Sequence, residues 1–178
     1  GSNSKMLSSD ILTEFRGRSD EIRVNPLSFD EFYHSYEGDK RDAWQEYYTY
    51  GGLPLAMKKK GHEEKAKYLE SLFGKIYIGD IIERNKILHD KSVLDDLLNI
   101  ISSSVGSLTN ASKISKTFKS ERQVSISDET VSRYLDFFID AFMIYKAERY
   151  DVKGRKYIGS PLKYYFSDVG LRNARLNF

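Results

Sequence analysis

Phosphoryl transfer from a nucleotide starts at a glycine-rich loop: Gly, four residues, then Gly-Lys-Ser/Thr, whose backbone amides cradle the phosphates. The chain has one Gly-Lys pair, Gly74-Lys75; Ile76 follows it, and Leu69 stands where the first Gly belongs. No strand-like run ends in paired acids, so a Mg²⁺-holding carboxylate is not expected either. His34, His62 and His89 fall at no metal-ligand spacing, and with no Cys in the chain thiolate sites and disulfides are excluded. A metal site is therefore not expected. A Gly-X-Ser-X-Gly elbow for acyl transfer is absent. Asp95 and Asp96 are helical neighbours that point apart, and Asp136 and Asp140 read as a solvated face.

Cationic side chains have more reach. Over 178 residues the net charge is only +2, but residues 111–178 carry 13 Lys+Arg against 8 Asp+Glu, and residues 1–110 are net acidic. Lys113, Lys116, Lys119 and Arg122 form one basic group. Lys153, Arg155 and Lys156 form a second, around Gly154. Both could meet a phosphate backbone; an ordinary solvated surface is the alternative. No apolar run approaches the ~20 residues of a membrane helix, and no signal-peptide core is present. A cytoplasmic protein with no membrane partner is expected.

The elements that must carry these residues are mostly helical. A helix-like stretch covers Lys5 to Phe15. Ile22, Val24 and Leu27 suggest a short strand ending at Pro26-Leu27. Ser28-Phe29-Asp30-Glu31 spells a capping box, opening a helix with Phe29, Phe32, Tyr33 and Tyr36 on one side. A second helix is predicted over about 39–50, with Trp44, Tyr47 and Tyr48 inward. Gly51-Gly52-Leu53-Pro54 ends it, Pro54 suiting the first turn of the next helix. Helical spacing returns over about 63–84, with Gly74 and Gly79 as weak points, and over about 91–104, where Val93, Leu94, Leu97, Leu98 and Ile101 make one buried face.

In the last third, Asn110 caps a helix to about Lys119 and Ser127 caps a longer one with Asp128 and Glu129 in its first turn. Two β-rich runs follow, Met143 to Tyr150 and Tyr157 to Phe166, joined by Asp151-Val152-Lys153-Gly154-Arg155. Three helices and then a hairpin is the winged helix-turn-helix order. The fold class is α+β, mainly helical, with two regions, 1–88 and 89–178.

Three stretches in order resemble one family: Ser2 to Ser8 with Phe15-Arg16-Gly17-Arg18; Pro26-Leu27-Ser28-Phe29-Asp30-Glu31-Phe32 with Gly51-Gly52-Leu53-Pro54; and Lys163 to Arg172. Together they are similar to prokaryotic AAA-superfamily ATPases in which the ATPase core is joined to a C-terminal domain of unknown function. The resemblance spans nearly the whole chain; its specificity lies in the order of the motifs. It implies lid helices of the AAA type before the winged helix, a P-loop and Walker B upstream of Gly1, and often a nuclease-like domain beyond residue 178. The opening Gly1-Ser2-Asn3-Ser4, without an initiator Met, agrees with a piece of a longer protein.

The resemblance also implies roles. Asn3 or Ser4 takes the sensor position that orients the attacking water. Arg18, with Arg16 as the alternative, is similar to the arginine finger that neutralises transition-state charge. Gly51, Gly52 and Pro54 resemble a lid motif in which Pro packs on adenine; the plain alternative is a helix-breaking turn. The stretch Gly79 to Asn85 also matches the family but carries no assigned role. Expected cofactors are ATP and Mg²⁺ in the longer protein and none in this piece. Expected partners are the ATPase core, a second copy, and DNA bound without sequence preference. The expectation is a nucleotide-sensing, regulatory ATPase region, inactive alone. Its rivals are a winged-helix DNA-binding protein and an interaction scaffold. Against specific DNA reading, the third helix of the winged region offers Asp128, Glu129, Asp136 and Asp140 with only Arg133.

Overall fold

Ser28 opens the first helix by the predicted capping box. Its hydroxyl accepts the Glu31 amide, and the Glu31 carboxylate accepts the Ser28 amide at 2.8 Å. This computed structural model describes residues 22–87, 91–148 and 161–178. Helix α1 is Phe29–His34. Asp39 caps α2, Lys40–Tyr50, through the amides of Arg41 and Asp42 at 2.9 Å. Gly51, at φ +79°, ends it, and Pro54 opens the single-turn α3, Pro54–Met57. Helix α4, Gly61–Ser71, runs on through a wide π-helical turn, Leu72–Tyr77, into α5, Ile78–Arg84. The predicted helix over 63–84 is thus found, and Gly74 lies in its widened turn.

Helix α6, Lys91–Ser103, buries Leu94, Leu97, Leu98 and Ile101. Each of these contributes roughly 1.5–3 kcal/mol by leaving water. Asn110 caps α7, Ala111–Thr117, which widens into a π-helical turn over Phe118–Arg122. Ser127 caps α8, Asp128–Asp140, which buries Val131, Tyr134, Leu135 and Phe138. Strands β1, Ile144–Ala147, and β2, Lys163–Phe166, pair antiparallel with Ile144 opposite Phe166 and Ala147 opposite Lys163. Thr109 extends the ladder: it exchanges two 2.8 Å backbone bonds with Leu162. Helix, bridge, helix, helix and hairpin follow in the winged-helix order. The fold is α+β and mainly helical. A last helix, α9, Val169–Arg175, follows β2 directly.

Two expectations change. The run from Ile22 to Leu27 is not a strand: Ile22 and Val24 are 87% and 88% exposed, and residues 22–28 carry no sheet partner. On α2, Trp44 and Tyr48 do not point inward but stand about half exposed. Ala43 takes the buried position; at 100° per residue its neighbour Trp44, and Tyr48 one turn later, face away from it. Trp44 instead sits edge-on against Phe29, ring centres 4.8 Å apart. Both described strands fall inside the β-rich runs, of which residues 149–150 and 157–160 lie outside the described residues. The turn from Asp151 to Arg155 lies outside the described residues, as does the stretch from Lys5 to Phe15.

One hydrophobic cluster runs from Ala56 to Ala174, taking Leu69, Phe73 and Ile81 from before residue 88 and Leu94, Phe118, Phe138 and Ile144 from after it. Helix α9 packs on α2, α4 and α6.

Candidate functional site

The residue that closes β2 and opens α9 is Asp168, only 4% exposed. As the N-cap of α9 it accepts the Leu171 amide through Oδ1 at 3.2 Å. Its second oxygen, Oδ2, accepts the Gly52 amide at 2.7 Å. Gly52 lies 116 residues earlier, in the loop that ends α2. One carboxylate therefore satisfies donors from two segments far apart in the chain.

Three glycines make that approach possible. A Cβ on Gly51 would overlap the Asp168 carboxylate, one on Gly52 the Leu27 carbonyl, and one on Gly170 the Tyr50 carbonyl. Gly51 also adopts a positive φ that L side chains rarely take. Around them the backbone is tied down on every side. The Leu27 amide donates to the Gly52 carbonyl at 2.9 Å. The Tyr47 hydroxyl donates to the Leu27 carbonyl at 3.0 Å. The Asn173 amide group donates to the carbonyls of Tyr48 and Thr49 at 2.8 and 3.0 Å, meeting acceptors that the end of α2 leaves open.

Helix α9 holds its other side as firmly. Arg172 Nε donates to the Ser102 carbonyl at 3.1 Å. Arg175 reaches the Asp95 carbonyl at 2.9 Å and its carboxylate at 3.3 Å. So α9 staples the end of α2 to α6. Burial pushes the Asp168 carboxyl above the usual carboxylate range; the amides of Gly52, Leu171 and Gly170 pull the other way without cancelling it.

Beside this clasp opens a cleft of about 950 Å³, walled by Arg23, Leu27, Glu31, Tyr47, Tyr145 and Asp168, among others. A volume of that size falls in the range of small-molecule sites. The cleft lies between the extended segment before α1 and the hairpin. The Tyr145 hydroxyl bridges the two by donating to Asn25 Oδ1 at 3.1 Å.

Of the residues singled out from the sequence, Asn3, Ser4, Arg16, Arg18, Lys153, Arg155 and Lys156 lie outside the described residues. Gly51 and Gly52 are buried in the clasp, and the close backbone approach they permit is to Asp168. Pro54 is exposed, and Leu55 beside it is 58% exposed. Lys113, Lys116 and Lys119 are exposed along α7 and its wide turn, whereas Arg122 is paired with Asp96 at 2.8 Å. On α8, Asp128 accepts the Ser115 hydroxyl at 2.5 Å, and Arg133 stacks over Tyr134, 5.7 Å from its ring centre.

Sequence reading missed the double role of Asp168. The local signal was there, an Asp immediately before a helical run, but nothing nearby names Gly52 as the second donor. It also missed the partners of Lys65, a buried lysine paired with Glu46 and stacked 4.9 Å over Tyr50.

An uncharacterized protein of Haemophilus influenzae is 38% identical over 177 residues, which cover 97% of this chain and 44% of the relative. The uncharacterized protein MJ1544 of Methanocaldococcus jannaschii is 29% identical over 190 residues, covering 100% of this chain and 42% of the relative. The chain spans less than half the length of these relatives. No solved structure matches it. A family model described as "Domain of unknown function (DUF8612)" matches residues 41–178, a span that contains Gly51, Gly52, Asp168 and Gly170. Since that match covers most of the chain and takes in the whole Gly52–Asp168 clasp, the protein belongs to the DUF8612 family.

Proposed function

We propose that this chain is the nucleotide-sensing, regulatory C-terminal region of an AAA-type ATPase, inactive on its own. The observation that carries the reading is the clasp. The Gly51-Gly52-Leu53-Pro54 loop and the run from Lys163 to Arg172 were singled out separately by their resemblance to such ATPases, and Gly52 of the first is bonded to Asp168 of the second at 2.7 Å. A loop that follows a nucleotide would in this way move α9 and, through β2, the winged helix. Pro54 and Leu55 support the same reading: they present an apolar surface at the start of α3, where an adenine held by an ATPase core could rest.

In this scheme ATP and Mg²⁺ are bound in the longer protein by a core that supplies the P-loop and the Walker B acid. Asn3 or Ser4 positions the water, and Arg18 or Arg16 reaches the nucleotide of a second copy. The whole works in the cytoplasm. Among the described residues no helix is long and apolar enough to cross a membrane.

The test is ATP turnover by a longer protein that contains this region and its ATPase core. Arg18→Ala should lower turnover more than it weakens ATP binding, because the charge acts chiefly in the transition state. Loss with Arg16→Ala alone would move the finger to Arg16. Unchanged turnover in both variants, together with unchanged ATP affinity in Pro54→Ala, would overturn the reading.

One observation favours a second reading, contact with DNA. Lys116 and Lys119 are exposed along one basic stretch, with no ion pair among the described residues. Helix α8 carries four acids and one cation, Arg133, so any such contact is with the phosphate backbone and blind to sequence.

A further inference from the structure

We propose that the cleft beside the clasp binds an organic phosphate, with Arg23 as the group that takes the phosphate. The guanidinium of Arg23 lies 4.9 Å from the ring centre of Phe142 and 5.0 Å from that of Tyr145. Aromatic contacts of this kind attract the cation without using its N–H groups as hydrogen-bond donors. Among the described residues no carboxylate or carbonyl accepts from them. A guanidinium so fixed, at the wall of a cleft of about 950 Å³, is preorganised for the two-pronged bond that an oxyanion offers.

Two carboxylates line the same cleft, and both are already engaged. Glu31 takes the amide and the hydroxyl of Ser28, each at 2.8 Å. Asp168 is buried and takes the amides of Gly52 and Leu171. Among the described residues of the lining, that leaves Arg23 as the charged group with donors to spare, with Ser167 beside it. Tyr47 and Tyr145 give the cleft an aromatic wall for the organic part of the ligand. The proposal does not depend on the ATPase reading.

The experiment is calorimetric titration of the purified chain with ADP, with pyrophosphate and with adenosine. ADP should bind more tightly than either part alone. Arg23→Gln should weaken ADP and pyrophosphate by about tenfold or more, the effect of losing charge-assisted bonds, and leave adenosine unchanged. Lys58→Gln, an exposed cation outside the cleft, should change each by less than about twofold. Arg23 and Lys58 are both exposed, so neither change threatens the fold. Absence of ADP and pyrophosphate binding by the unaltered chain would overturn the proposal. So would binding indifferent to Arg23→Gln, or an equal loss with Lys58→Gln, which would mark general attraction to a cationic surface. Any of these failures leaves the turnover test in the longer protein standing, and failure there leaves this site standing.

Discussion

Asp168 caps the last helix and, with its other oxygen, holds the amide of Gly52 at 2.7 Å across 116 residues of sequence. The loop that ends α2 and the start of α9 are in this way joined through one buried side chain.

Removing that side chain should unfold the joint first. Asp168→Ala orphans the amides of Gly52 and Leu171 in a buried place, and should cost about 3 kcal/mol. Gly170→Ala should cost about 2 kcal/mol or more, since the added methyl overlaps the Tyr50 carbonyl, a backbone atom that cannot swing aside. Gly79 is the contrast. It lies within α5 with nothing near its absent Cβ, so Gly79→Ala should stabilise the chain by about 0.5–1 kcal/mol. Urea unfolding of the three variants measures all of this; a neutral Gly170→Ala would show that the joint yields.

The pH dependence of the clasp has a definite sign. Burial raises the folded-state pKa of Asp168 above its unfolded value. Its contribution to stability is then full below the unfolded carboxylate pKa of about 4 and falls as pH rises through the folded value. Unfolding free energies of the unaltered protein and of Asp168→Asn, followed from about pH 4 to about pH 8, should show the unaltered protein losing ground to the variant as pH increases. A gap that moved in the opposite direction would mean that the three amides outweigh burial.

Tyr164 adds a dependence at alkaline pH. Burial first, then the charges of Asp136 and Glu148, push its hydroxyl up to about 12. An unfolded tyrosine ionises near 10. The stability it contributes is therefore present below about pH 10 and lost between about 10 and about 12. Tyr164→Phe should remove that part of the decline and one late step of the tyrosinate absorbance titration. An unchanged titration in the variant would place the late-ionising group elsewhere.

Any duplex binding by α7 should follow salt and ignore sequence. Lys116→Glu with Lys119→Glu should weaken random and genomic duplexes alike and flatten the slope of log affinity against log salt by about 2. A single preferred duplex, dependent on Arg133, would instead make α8 a base-reading helix and promote the DNA-binding reading over the ATPase one.

The sequence by itself determined what is settled within a few residues. Ser28, Asn110 and Ser127 each sit where a short side chain meets an amide three positions on, so the helix starts were legible. The spacing of Leu94, Leu97, Leu98 and Ile101 named the buried face of α6, because a helix returns to the same side every three or four residues. The absence of a P-loop was equally plain, since that motif is contiguous. Only the tertiary structure decided which aromatic residues of α2 turn inward, since the spacing of Trp44, Tyr47 and Tyr48 does not say which side of the helix its neighbours will cover. It alone brought Arg23 between Phe142 and Tyr145, and it alone gave Asp168 its second donor. A buried carboxylate must find its hydrogen bonds somewhere, but which distant amide supplies them depends on how α9 and α2 pack, and the local sequence around either residue does not encode that.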